Sequence, residues 1–220
     1  MVLKIIINRG LKDKCRIFFE APPNPISGMD VIMLRQYTAL SVLYQSRHCV
    51  LIAFLVYGIS CLAGWLKADA LDFFQAAASG LADKFEGKSG AGFILSLFLH
   101  NLVATYVTMC LVTLWGLLPM VTAMANGLLL GWIVATSVGG SLVDAAVMLV
   151  PHGLFEWPAM MIAWGVGLWR GAGYRLSTDP GTYVQRWKKA NQLFFIMVLP
   201  LLLLAAIVEG RGYLSEIFQG

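Results

Sequence analysis

Between Ala91 and Thr136 the chain carries no aspartate, glutamate, lysine or arginine; His100 is the only side chain there that can take a charge. One helical crossing of a bilayer needs about 20 apolar residues, so this run is too long for one span and long enough for two. The segment WGLLP at 115–119 marks the expected break between them. The whole chain is 59% hydrophobic and 13% charged, against roughly a quarter charged in soluble domains. It is an integral membrane protein, all-α, and the charged remainder is too short for a second folded domain.

The rest of the chain divides on the same grounds. Residues 1–28 hold five basic side chains and the segment APPNPISG, whose three prolines favour an extended connector. Residues 29–47 place Met33, Tyr37, Leu40 and Tyr44 at alternating spacings of four and three, the pattern of an amphipathic helix at the inner interface. Together 1–48 form a cytoplasmic arm leading into the first span, about Val50 to Leu66. Residues 67–90 hold three lysines and four acids around Leu71, Phe74, Ala78, Leu81 and Phe85, which fits an extracytoplasmic amphipathic helix or, equally, a solvated helix packed on the bundle. Spans two and three follow. From Ser141 to Trp169 only Asp144, His152 and Glu156 interrupt an apolar run longer than the hydrocarbon core, so a broken or re-entrant segment is expected before the fourth span. The last span covers about Asn191 to Val208. The transmembrane domain is thus 49–210, with about five helices, and 211–220 is a short extracytoplasmic tail.

Charge placement orients this bundle. Basic segments precede span one and follow span four, and both face the cytoplasm if an even number of crossings separates them. Four crossings satisfy this, putting the N-terminus inside and the C-terminus outside in an inner (plasma) membrane. The net charge of +4 is accounted for by these flanks, so nothing points to nucleic acid. Four cysteines without a CxxC pair suggest neither a disulfide framework nor a zinc site, and no cofactor is implied.

Two small-residue patterns predict tight helix contacts. Gly127 and Gly131 lie in span three; Ala159, Ala163, Gly167 and Gly171 run along span four. Small residues four apart let backbones approach closely in lipid, which predicts that spans three and four pack on each other; the same pattern could instead serve a homodimer. At the head of the second stripe stand His152 and Glu156, about 40° apart on a helical wheel. Pro151, Gly153 and Pro158 flank them as helix breakers, and Pro158 removes the hydrogen bond to the Leu154 carbonyl. An ionisable group at this depth is costly unless paired, protonated or hydrated, which makes His152 and Glu156, with Asn126 and Asn101 as candidate partners, a candidate functional polar cluster. Three roles remain open for it: a hydrogen-bonded register lock, a proton or ion site at a broken helix, or half of a metal site, which would need a third ligand.

The stretches ANGLLLGWIV at 125–134 and VPHGLFEWPAMMIAWGVGLWRG at 150–171 resemble the stage II sporulation protein M family. The resemblance covers roughly 91–210. It implies a polytopic inner-membrane protein of about five spans, with Asn126, Gly127, Gly131, Pro151, His152, Gly153 and Glu156 as a central constellation. In sporulating members the family implies a membrane scaffold for peptidoglycan-degrading enzymes; many relatives occur where no spores form. The expectation is therefore a non-catalytic scaffold or assembly protein with protein partners in or on the membrane. A small permease or ion-coupled transporter using His152 and Glu156 is the alternative, and an intramembrane metalloenzyme a third.

Overall fold

The computed structural model describes residues 28–83, 90–111, 113–137, 142–176 and 181–210, with side chains from residue 36 onward except at 37, 77–78, 81–83, 90, 113–114, 137, 142–143, 145–152 and 173–176. The expected arm and tail, 1–27 and 211–220, lie outside the described residues. The chain divides into Met1–Tyr37 and Thr38–Gly220. Of the first unit, residues 28–37 are described and are helical. The second unit holds the apolar helices.

Among the described residues there is no strand. Helix α1 covers Gly28–Leu66, followed by a 3-10 turn at Ala68–Ala70, then α2 at Phe73–Asp83, α3 at Gly90–Cys110, α4 at Thr113–Ser137 and α5 at Leu142–Leu176. The last rod consists of α6, Tyr183–Leu193, a π-helical stretch, Phe194–Val198, and α7, Leu199–Glu209. Among the described residues four stretches are long and apolar enough to cross a membrane: Thr38–Leu66, Ala91–Cys110, Trp115–Thr136 and Tyr183–Glu209.

α5 has 35 residues, which extend about 52 Å. Ala159, Met161, Ile162, Ala163, Trp164, Val166, Trp169 and Arg170 are all buried within the protein. Its stretch from Ala159 to Arg170 is thus largely shielded by other helices, whereas Leu154 and Pro158 are exposed. Its contacts reach α3, α4, α6 and α7.

The expected break before the fourth span is not there. Helical backbone runs through Pro151, His152, Gly153 and Pro158 without interruption. Each proline removes one hydrogen bond, at a cost of roughly 3 kcal/mol in an isolated helix, but enclosure of the following turns by neighbouring helices holds the rod together. Gly153 is not a hinge either. A side chain added there would meet the Trp157 indole at 2.9 Å, so this glycine seats the ring four residues on.

The backbone in the first turn of α4 is irregular. Trp115 and Gly116 both have positive φ, 58° and 88°, and Pro119 sits inside α4 rather than ending a helix. A left-handed tryptophan is uncommon; Gly116 is needed on two counts, because an added Cβ would also lie 2.9 Å from the Leu168 Cα. Gly116→Ala is expected to cost at least about 1–2 kcal/mol from the backbone alone, read as a lower thermal midpoint in detergent.

Two local devices shape the final rod. Thr182 and Gln185 form a reciprocal capping box that starts α6. Further along, Pro200 has no N–H to offer, and the turn before it widens so that the Leu199 N–H reaches the Phe194 carbonyl, five residues back.

Candidate functional site

α5 supplies most of the candidate residues, and its neighbours set their surroundings. On one face Gly165 abuts the Val50 backbone of α1. On another, Gly167 lies against Pro119 and Met109, and Gly171 against Trp115 and Gly116. Ala159 and Ala163 are fully enclosed. The α4–α5 approach expected from the small-residue stripe is therefore present, seated on the start of α4.

Gly127 and Gly131 lie elsewhere. Both face α1: a Cβ at Gly127 would strike the Tyr57 carbonyl and the Ser60 side chain, and one at Gly131 the Cys61 carbonyl and the Trp65 N–H. Gly64 of α1 reciprocates against the Leu128 carbonyl. Expecting these glycines at the span-four contact was incorrect. α4 divides its two ends, giving 116–119 to α5 and 127–131 to α1.

Glu156 is half-buried on α5. Its carboxyl group is within electrostatic reach of the Tyr57 hydroxyl on α1 and of Glu209 at the end of α7. Ionisable groups of three helices thus lie within electrostatic range of one another. Tyr57 itself is buried, its ring 5.9 Å from that of Trp164.

The other predicted members behave differently. Asn126 donates its amide N–H to the Thr122 carbonyl of its own helix at 2.9 Å, a local bond that needs no partner helix. Asn101 is half-buried on α3, and no described contact brings it to Glu156. The side chains of His152 and Pro151, and with them the expected His152–Glu156 pairing, lie outside the described residues. Pro158 is exposed on the outer side of α5. Among the described residues no group of three His, Cys, Asp or Glu side chains could hold a metal ion.

A second polar locus, at the opposite end of α5, reads in the sequence only as a basic loop. Arg170 is 1% exposed. Its Nη1 donates to the Met109 carbonyl at 2.7 Å and the Cys110 carbonyl at 3.3 Å, and its Nη2 to the Tyr183 hydroxyl at 3.3 Å. It therefore caps the C-terminus of α3, where unpaired carbonyls and the helix dipole favour a cation. Arg186 completes the arrangement, donating Nε to the Arg170 carbonyl at 3.0 Å and Nη1 to the Gly181 carbonyl at 2.8 Å. One turn away, Tyr106 of α3 donates to Asn191 Oδ1 at 2.7 Å. A signal existed in the sequence: Arg170 follows Ala163 by seven residues, about 20° around the helix, and so belongs to the buried stripe.

A family model described as Stage II sporulation protein M matches residues 52–213. The chain belongs to that family. The match takes in all of α2 to α7 and both polar loci. No curated protein and no solved structure matches the chain.

Proposed function

We propose that this family member is a non-catalytic scaffold of the inner membrane, with five crossings, a cytoplasmic N-terminus and partner proteins in or on the membrane. The observation that supports this most is the continuity and enclosure of α5. Secondary transporters build their sites on discontinuous helices lining a cavity, whereas here the central helix is unbroken and clamped by backbone-close glycine contacts to α1 and α4. Such a hub is suited to holding surfaces in fixed relation. The family's role in organising cell-wall-remodelling enzymes points the same way.

On this reading the Glu156 locus fixes helix register, with Tyr57 and Glu209 as its neighbours, and α2 offers the outer docking surface. Phe73, 65% exposed at the start of α2, is its most prominent apolar side chain among those described; Phe74 beside it is turned in, 6.5 Å from the Trp132 ring. A photo-crosslinker at position 73 is expected to capture other proteins in native membranes. The transporter alternative has its own test. Glu156→Gln in proteoliposomes is expected to leave ion and proton leak at the level of empty vesicles, as in the parent protein. Parent-dependent flux abolished by Glu156→Gln, with no crosslinked partner, would sink the scaffold assignment.

A further inference from the structure

Apart from the Tyr183 hydroxyl, which accepts from Arg170, the exposed side of α6 has a layout that neither scaffold docking nor bundle packing uses. Around this helix Arg186, Ala190 and Leu193 are buried against the bundle, while Tyr183, Val184 and Trp187 are 51%, 58% and 42% exposed and Lys188 is exposed beside them. Phe195 continues that side, 56% exposed and seven residues, about 10 Å, beyond Lys188. Leu203, Leu204 and Ile207 leave further apolar surface open along the same rod. A cation and two amphipathic aromatics thus stand above an open apolar surface.

The surroundings repeat the theme. Gly171 of α5 packs on Trp115 and Gly116, which places Trp115, 66% exposed, at the same end of the bundle. Gly165 packs on Val50, which brings the preceding turn of α1 to this end as well. There the exposed Arg47 guanidinium lies 4.0 Å above the Tyr44 ring. The opposite end, where Gly131 meets Trp65, instead leads into exposed Asp69 and Asp72. Tryptophan and tyrosine favour the headgroup level, and basic side chains beside a membrane attract anionic lipid.

We propose that the exposed face of α6 binds one anionic phospholipid, its phosphate on Lys188, its headgroup region against Trp187 and Tyr183, and an acyl chain along Phe195. The Arg170–Arg186 lock behind α6 keeps the face in place, so the site is built into the fold rather than carried by a loose basic loop. Charge complementarity selects the occupant: a zwitterionic lipid offers Lys188 a phosphate already neutralised by its own amine, whereas phosphatidylglycerol offers a net negative charge. The proposal is independent of whether the chain serves as scaffold or transporter.

Spin-labelled phosphatidylglycerol and phosphatidylcholine, compared in vesicles containing the purified protein, measure the immobilised fraction of each. The expected result is a clear preference for phosphatidylglycerol that falls about fivefold in Lys188→Gln, falls on adding 0.5 M salt to the unaltered protein, and is unmoved by Lys67→Gln at the other end. Trp187→Ala is expected to reduce immobilisation of both lipids at this site. Equal immobilisation of the two lipids by the parent protein, or a preference untouched by Lys188→Gln, overturns the proposal. The salt titration needs no variant, so it decides the electrostatic part even if a substitution disturbs folding.

Discussion

Gly131→Leu is expected to prevent stable assembly of the bundle, while Gly58→Leu leaves it intact. Both glycines lie in apolar helices, and composition alone would rank them alike. At Gly131 the first carbon of any side chain collides with the Cys61 carbonyl and comes within 2.6 Å of the Trp65 backbone nitrogen. These are backbone atoms of α1, so no rotamer change can relieve the clash, and the two helices must separate. Overpacking that flexible side chains absorb costs about 1–3 kcal/mol; a forced separation here is expected to exceed about 3 kcal/mol, because Gly127 and Gly64 lose their contacts at the same time. At Gly58 nothing lies within 4 Å of an added Cβ, and a leucine there faces the lipid side. Thermal unfolding and gel-filtration profiles in mild detergent check the pair. Equal behaviour of the two variants would mean that α1 and α4 do not meet through Gly131.

How much of this architecture is legible in the sequence varies with the kind of signal. Membrane class and helical content follow from uncharged runs, because lipid leaves the backbone so few options. Helix limits are harder. Residues 29–57 contain neither glycine nor proline, so nothing local separates the amphipathic stretch from the span, and α1 covers both. Prolines mislead in the other direction. Pro151 and Pro158 look like breaks when each is weighed as in an isolated helix, yet α5 is enclosed by α1, α3, α4 and the last rod. Packing of that extent outweighs two missing hydrogen bonds.

The candidate site shows a different limit. A small-residue pattern states that some backbone comes close, but not which one, because every neighbour would select the same periodicity. Gly127 and Gly131 therefore advertise a contact truthfully while leaving open whether α1 or α5 makes it. Glu156 is legible as an anomaly, a carboxyl group in an apolar run; that Tyr57 and Glu209 share its locus depends on how α1 and α7 are placed, which no local spacing encodes. Arg170 is obscured by its company. Next to Arg175, Arg186, Lys188 and Lys189 it looks like one more topological charge, and only its helical phase relative to Ala163 sets it apart.

Arg170→Met is expected to produce the other large loss. Burying this side chain is tolerable only because its guanidinium satisfies carbonyls that would otherwise be orphaned at the end of α3. Methionine fills a similar volume but donates nothing, leaving the Met109 and Cys110 carbonyls and the Tyr183 hydroxyl without this donor. Hydrogen bonds involving a charged group contribute about 1.5–3 kcal/mol each, and removing one side of a buried ionic arrangement costs about 3–5 kcal/mol; a loss in that range is expected. Arg170→Lys should recover only part of it, since an ammonium cannot span two successive carbonyls and a hydroxyl as a planar guanidinium does. Tyr183→Phe, which removes one longer contact of 3.3 Å, should cost no more than about 1 kcal/mol. Thermal midpoints in detergent rank the three variants, and limited proteolysis adds a positional readout. With the cap gone, the junction of α3 with the first turn of α4 should become the first site cut, because local opening follows loss of the contacts that tie an element down. Were Arg170→Met as stable as the parent, the end of α3 would have to be satisfied by other donors, and the basic residues at this end of the bundle would serve topology alone.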